Sequence, residues 1–376
     1  MKVTVLQENL ARGLSTVSRA VSPRSTLPVL ANILIATDEG RLRLSATNLE
    51  LGITCWIGAK IEEEGSTTVP SRTLSDLVGT MPDPQVSLTL NAQTQTLNVR
   101  SGSSTNDIKG IDAQEFPPLP VPDFDDAILI NVSDFKEMIQ QVAFAASTDE
   151  ARPVLMGVLV TVEKDLVTMA AADGFRLSVR KAALSSSVPT SVSAIIPARA
   201  LNELARIASD GEQMIQMVLP KGRGQVVFRV KDAELVSQLI DGTFPDYQQI
   251  IPRSYKSRTL VSTASLLKAC RQAEIFAREG SNVVRLNIKT NGEMQPGEVE
   301  ISAHSEETGS NETLVEATVD GIPLLIAFNV RYLREVLEVI KSPNVAIETS
   351  AQNAPGVVRP VGDDHFLHVI MPMHLG

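Results

Sequence analysis

The stretch Asp241-Gly-Thr-Phe-Pro-Asp-Tyr-Gln-Gln-Ile-Ile-Pro252 decides how this chain is read. It is polar, punctuated by Gly and Pro, carries one Phe suited to burial, and ends a short apolar run at Pro252. Proline lacks a backbone donor and fixes φ, so Pro245 and Pro252 end regular structure there. A second stretch, Asp112-Ala-Gln-Glu-Phe-Pro-Pro-Leu-Pro-Val-Pro122, sets the same Phe-Pro step behind a similar polar lead. The two steps lie roughly one domain's length apart, which predicts a chain built from repeated domains.

Working outward from these linkers, each third of the chain shows the same order of elements. The first helix of each repeat centres on Leu10, Phe135 and Leu266, each with apolar residues at helical spacing. The second helices open at Pro70, Pro197 and Asn329. Ser133, Thr263 and Asn329 are the predicted N-caps. Alternating apolar and polar runs between these helices read as strands with hairpin-length connections, one of them turned at Lys221-Gly-Arg-Gly. The predicted fold is α+β: three repeated domains, 1–125, 126–253 and 254–376, each with two helices on mostly antiparallel strands.

At 376 residues the chain has room for two or three domains of ~150 residues. It contains no apolar run of the ~18 residues a membrane span needs. The opening Met1-Lys-Val-Thr-Val-Leu reads as a strand rather than a leader. Cys55 and Cys270 lie far apart, fit no metal spacing, and read as inert thiols. The net charge of −10 argues against a wholly basic surface. The predicted helices nevertheless hold more Lys and Arg than Asp and Glu, including Arg12, Arg19, Arg72, Arg199, Arg206, Arg271 and Arg331. If their polar sides face one space, that space is electropositive and suits a polyanion held without base reading.

Catalytic spacing is absent. The four histidines, His304, His365, His368 and His374, form no metal-ligand pattern. There is no Gly-x-Ser-x-Gly nucleophile turn and no phosphate loop following a strand. Asp125-Asp126 and Asp363-Asp364 read as solvated turns. No catalytic residue, metal or cofactor is therefore expected. Two stretches look instead like a binding site: Ala170-Ala-Ala-Asp-Gly-Phe-Arg-Leu-Ser178, a strand entering a tight turn that exposes Phe175, and the apolar end His368-Val-Ile-Met-Pro-Met-His-Leu-Gly376. Methionine suits a groove that takes varied partners.

Six motifs spread over all three repeats resemble the β subunit of bacterial DNA polymerase III, the sliding-clamp family. They are Arg24-Ser-Thr-Leu-Pro-Val-Leu, Thr68-Val-Pro-Ser-Arg, Ala172-Asp-Gly-Phe-Arg-Leu, Asp241-Gly-Thr-Phe-Pro-Asp-Tyr, Phe328-Asn-Val-Arg-Tyr-Leu and Met371-Pro-Met. The resemblance implies a non-catalytic processivity factor of the nucleoid-associated cytoplasm, a homodimer joined head to tail into a ring of helices around double-stranded DNA. It implies DNA contacts at Arg24, Arg72 and Arg199. It implies a ring joint at Ser103–Ile108, including Asn106 and Ile108, against Ile275, Phe276 and a strand at Thr313–Thr318. It further implies an outer groove for short linear peptides of the polymerase III catalytic subunit, the clamp loader, and other polymerases and repair proteins. Carried over position by position, that groove is Arg152, Leu155, Ala172, Gly174, Phe175, Arg176, Leu177, Pro245, Gln249, Ile250, Asn329, Tyr332, Ile370, Met371, Pro372, Met373, His374 and Leu375.

Overall fold

The structure, a computed structural model, describes residues 1–209, 214–220, 222, 224–279, 281–290 and 297–374. The chain opens with β1 (Lys2–Leu6), α1 (Gln7–Val17), β2 (Asn32–Asp38), β3 (Arg41–Thr47), β4 (Leu51–Glu63), β5 (Ser66–Pro70), α2 (Ser71–Gly79), β6 (Gln85–Asn91), β7 (Thr96–Ser101) and β8 (Ser104–Lys109). After the first Phe-Pro linker come β9 (Ile128–Asn131), α3 (Val132–Val142), β10 (Gly157–Glu163), β11 (Leu166–Ala172), β12 (Arg176–Ala183), β13 (Val192–Pro197), α4 (Ala198–Ile207), β14 (Met214–Val218), β15 (Gln225–Val230) and β16 (Ala233–Gln238). After the second come β17 (Ser257–Ser262), α5 (Thr263–Ala277), β18 (Val283–Lys289), β19 (Gly297–Ser305), β20 (Gly309–Gly321), β21 (Leu324–Asn329), α6 (Val330–Val339), β22 (Asn344–Thr349), β23 (Gly356–Pro360) and β24 (Phe366–Ile370).

The architecture is α+β, with two helices per repeat on antiparallel sheets. Packing divides the chain into two compact units, 1–133 with 199–239, and 134–198 with 240–376. In the first unit the sheet runs β8-β7-β6-β1-β4-β16-β15-β14-β9, with β3 beside β4, then β2, then β5. In the second it runs β13-β10-β11-β12-β24-β23-β22-β17-β20-β19-β18-β21. The central repeat is thus shared out. Its β16 pairs with β4 from Ala233–Cys55 to Ser237–Leu51, and its β12 pairs with β24 from Arg176–Ile370 to Arg180–Phe366. Each pairing satisfies a strand edge that an isolated repeat would expose.

The helices form where apolar residues recur at helical spacing, and those residues are the ones buried. Leu10, Leu14 and Val17 of α1, and Leu333, Val336 and Leu337 of α6, are all in the core. Full burial of one such side chain contributes about 1.5–3 kcal/mol. The predicted helix starts need small corrections. Asn131, not Ser133, caps α3: its Oδ1 accepts from Ser133 N at 2.9 Å. Ser262 caps α5, accepting from Ser265 N at 3.4 Å, while Thr263 Oγ1 donates to the Ser342 carbonyl at 2.8 Å. Asn329 caps α6 as expected, accepting from Arg331 N at 3.0 Å. Pro70 and Pro197 close strands immediately before α2 and α4. Of the two acidic pairs, Asp125 and Asp126 are exposed, whereas Asp363 is ion-paired to Arg180 and so is structural. The turn at 221–224 falls partly outside the described residues.

Both thiols are buried, and burial pushes Cys55 and Cys270 up to about 12, so both stay protonated at neutral pH. Among the described residues no cluster of His, Cys, Asp and Glu could hold a metal, and no helix is long and apolar enough to cross a membrane.

In the second unit Gly356 of β23 meets the ring of Phe328, from β21, with almost no gap. A Cβ on Gly356 would lie 2.4 Å from Cζ of Phe328, whose side chain is itself in the core. Gly356→Ala is therefore expected to lower stability by about 1–3 kcal/mol through overpacking. Urea unfolding should show a lower midpoint with an unchanged slope.

Candidate functional site

The second unit gathers most of the predicted groove residues around the turn between β11 and β12. Asp173 Oδ1 accepts from Phe175 N at 2.9 Å and from Arg176 N at 3.1 Å. This is a side chain standing in for a backbone turn, and it needs a left-handed residue between. Gly174 supplies it at φ +96°. The turn leaves Phe175 59% exposed. Arg152 lies across it, donating from Nη1 to the Asp173 carbonyl at 3.1 Å and from Nε to Asp149 Oδ2 at 2.8 Å. The Arg152 hydrogen bond holds the Asp149 carboxyl below its ordinary range.

Arg176 differs from the expectation of a surface contact. Its side chain is only 7% exposed. Nε donates to Asp173 Oδ2 at 3.0 Å, Nη2 to the Phe144 carbonyl at 2.8 Å, and Nη1 to Glu335 Oε2. The guanidinium also lies 4.3 Å from the Tyr332 ring centroid and 5.3 Å from that of Phe144. Burial works to raise the Glu335 carboxyl, but hydrogen bonds from Arg331 and Arg176 outweigh it and hold the group ionised. Burial pushes the Tyr332 hydroxyl up, with Asp173 adding to the effect.

The chain end is tied to this turn. Ile370 pairs with Arg176 in the β12–β24 ladder, Met371 N donates to the Phe175 carbonyl at 2.8 Å, and Met373 N donates to the Ala327 carbonyl at 2.8 Å. Met371 is partly exposed, Pro372 and Met373 are half-buried, and His374 is exposed; Leu375 lies outside the described residues. A pocket of about 490 Å³ opens between the turn and α6, with Arg152, Phe175, Arg176 and Tyr332 among its walls.

The remaining predicted residues divide. Ala172 and Leu177 are buried in an apolar cluster with Val369, against which Tyr247 and Ile251 pack. Leu155, half-buried in the 3-10 turn Pro153–Met156, accepts from Ser147 N at 2.8 Å. Pro245, Gln249 and Ile250 are exposed, and Gln249 donates to Asp246 at 2.8 Å. Asn329 spends its side-chain oxygen on the α6 cap. Phe144 and Glu335 lie outside every stretch the sequence singles out, while Asp173, Tyr247, Ile251 and His368 lie inside quoted stretches without being assigned to the groove. Periodicity could flag only Glu335, a carboxylate one turn from Tyr332 on α6.

His368 is fully buried on β24. Its Nδ1 lies 2.6 Å from Ser178 Oγ, its ring stacks on Phe144 at 5.4 Å, and its Nε2 has no protein partner. Burial and the nearby Arg176 charge push it down to about 3.

The predicted DNA-contacting residues all lie in the first unit. Arg24 is exposed. Arg72 on α2 is 94% exposed and reaches Asp76 at only 3.6 Å. Arg199 on α4 donates to the Arg19 carbonyl at 3.4 Å, while Ser18 and Ser71 join α1 to α2 at 3.0 Å. Many other helix cations are matched by helix carboxylates: Arg19 and Arg206 by Glu203, Arg271 and Arg334 by Glu338, Lys341 by Glu137. The expected cationic face is thus laced with ion pairs rather than bare.

The predicted joint residues sit on both units. In the first, β8 is the terminal strand, with Ile108 buried and Asn106 Nδ2 donating to Ser104 Oγ at 3.0 Å. In the second, β20 pairs with β19 from Gly309 to Ala317 and with β17 from Ala317 to Gly321, so among the described residues 309–316 keep one open edge. The predicted span Thr313–Thr318 therefore straddles an open half and a paired one. Ile275 is 53% exposed and Leu314 56% exposed, and Phe276 is half-buried.

Family models described as the N-terminal, central and C-terminal domains of the DNA polymerase III beta subunit match residues 1–120, 129–246 and 248–374. The chain is 35% identical to the beta sliding clamp of Synechococcus elongatus over the whole of both chains. It is 33% identical to that of Staphylococcus aureus over 99% of each. Among solved structures it resembles the DNA polymerase sliding clamp of Bacillus subtilis, with a TM-score of 0.94 at 30% identity over the whole of both chains. It also resembles the DNA polymerase III beta subunit of Thermotoga maritima, at 0.89 and 27% over the same full coverage.

His368 generates a pH prediction. Its pKa falls from 6.5 in the unfolded chain to about 3 in the fold, so the unfolded state binds the proton better. The stability it contributes is complete above 6.5 and is lost as pH falls from there toward 3. Between pH 7 and pH 5 the loss from this one group is expected to be about 2 kcal/mol. His368→Gln should remove that component, read as a smaller difference between urea midpoints at the two pH values.

Proposed function

The chain belongs to the family of bacterial DNA polymerase III beta subunits, the sliding clamps, and from that membership we propose that it confers processivity by encircling duplex DNA. The observation that carries this reading is the threefold clamp-domain match along 1–374. Its working domains are 1–125, 126–253 and 254–376. Two chains close head to tail, β8 with Asn106 and Ile108 meeting the open edge of β20 beside Ile275 and Phe276. A head-to-tail contact makes a ring when its rotation closes, and the joint covers both open strand edges.

The chain performs no chemistry in this role. Its hold on DNA is topological, so lateral contacts from Arg24, Arg72 and Arg199 need only be weak and screened. Exposed ion pairs such as Arg72–Asp76 contribute little individually, while the unmatched helix cations keep the polyanion centred. The turn at Asp173–Phe175, the pocket toward Tyr332 and the tail Met371–His374 form the groove. It takes short linear peptides from the polymerase III catalytic subunit, the clamp loader, and other polymerases and repair proteins. An apolar floor at Ala172 and Leu177 with a polar, preorganised rim matches what peptide grooves require. The protein works in the cytoplasm, on the nucleoid.

Loaded onto nicked circular DNA, the protein is expected to remain bound in high salt and to leave within the assay once the circle is cut. Equal loss from cut and uncut DNA contradicts encirclement. Deleting residues 371–376 is expected to abolish binding to the polymerase and loader while leaving the dimer mass unchanged by sedimentation.

A further inference from the structure

The first unit repeats the construction of the groove almost position by position. The ladders fix the correspondence: Thr47–Gly52 stands where Ala172–Leu177 stands, and Gly52–Val236 where Leu177–Val369 stands. The turns match as well. Asn48 Oδ1 accepts from Glu50 N at 3.1 Å and Leu51 N at 2.7 Å, as Asp173 does from Phe175 and Arg176. Leu49 holds φ +77° where Gly174 holds +96°. Gln238 N donates to the Glu50 carbonyl at 2.8 Å, as Met371 N does to that of Phe175. The 3-10 turn Pro28–Ala31 repeats Pro153–Met156, and Phe116-Pro117 repeats Phe244-Pro245.

The two copies differ in what fills them. Where the second unit has the Leu177 side chain, the first has Gly52, and the vacated space holds Leu119 of the chain's own linker. A Cβ on Gly52 would lie 2.7 Å from Leu119 Cδ2. Val29 and Leu30 are 6% and 2% exposed beneath Phe116, whereas their counterparts Val154 and Leu155 are only half-buried. The occupant is preorganised: Pro117, Pro118, Pro120 and Pro122 hold the segment extended, so seating it costs little chain entropy.

We propose that the first unit holds a second copy of the peptide groove, occupied in cis by the segment Pro117–Val121, which leaves an apolar linear peptide no access unless the linker is displaced. The proposal rests on reading the second unit's site as a peptide groove. A tethered occupant acts at an effective concentration on the order of mM, so a free peptide at micromolar levels does not compete. That accounts for a duplicated fold offering one open groove per chain.

The chain's single tryptophan reports on this site, because Trp56 shares a pocket of about 280 Å³ with Pro117 to Val121. The probe is a synthetic peptide of residues 115–122, added to the full chain. In Leu119→Ala, Trp56 emission is expected to shift to longer wavelength, and the peptide is expected to reverse the shift saturably while leaving wild type unchanged. Gly52→Leu, which fills the seat, is expected to show the shift without reversal. Should Leu119→Ala not fold, Gly52→Ala adds one methyl at the same seat and is expected to show a partial shift. Emission unchanged in a folded variant, or a Leu119→Ala shift that the peptide does not reverse, overturns the proposal. Trp56 does not report on the second unit, so failure of the Met371–Gly376 assignment appears separately, in the tail deletion.

Discussion

The candidate groove depends on one buried cation. Taking a guanidinium out of water costs several kcal/mol, and the cost is offset only when its donors are matched by good acceptors. Arg176 meets that condition with Asp173, Glu335 and the Phe144 carbonyl, and it lies against two aromatic rings. The result joins the β11–β12 turn, Phe144 just beyond α3, and Tyr332 and Glu335 of α6. Because Asp173 is held by its own turn and by Arg176 at once, Phe175 and the carbonyl that receives Met371 are fixed in place. The groove's exposed parts are thus positioned by a residue that is itself out of solvent.

The same economy of edges shapes the fold. Three sequence repeats become two packed units because β16 completes the sheet of the first and β24 that of the second. Among the described residues, β8 is one of the terminal strands, and the half of β20 beyond β17 is another open edge. These are the strands the proposed ring joint would cover. The helices carry their charge differently from a bare basic surface. Carboxylates on the same or neighbouring helices pair with many of the arginines, which makes the local attraction shallow. A shallow, non-directional hold fits the sliding along DNA proposed above.

Much of this was legible in the chain. The Phe-Pro linkers marked the repeats, and both Phe116 and Phe244 are buried at 7% and 8% exposure. The Asp-Gly step announced its turn, because only a residue free to adopt positive φ fits between the two amides Asp173 accepts. The helix periodicity survived with shifts of a residue or two at the caps, where Asn131 and Ser262 compete with neighbours of similar chemistry. What could not be read was distance. Nothing local to Arg176 predicts that Glu335 will meet it, and so a positioning residue reads as a contact residue. Nor does any local pattern say that β12 pairs with β24. For the same reason Tyr247 and Ile251 were not assigned to the groove: their neighbours Gln249 and Ile250 look equally suitable until the linker's path is known.

The most direct measurement is the affinity of the Arg176→Lys chain for the replicative polymerase, by surface plasmon resonance at fixed salt. Lysine keeps the charge but cannot reach Asp173, Glu335 and the Phe144 carbonyl together. If Arg176 positions the turn, affinity falls at least about tenfold, roughly 1.4 kcal/mol, while the dimer mass is unchanged. A folded Arg176→Lys chain that binds polymerase as tightly as wild type contradicts the account.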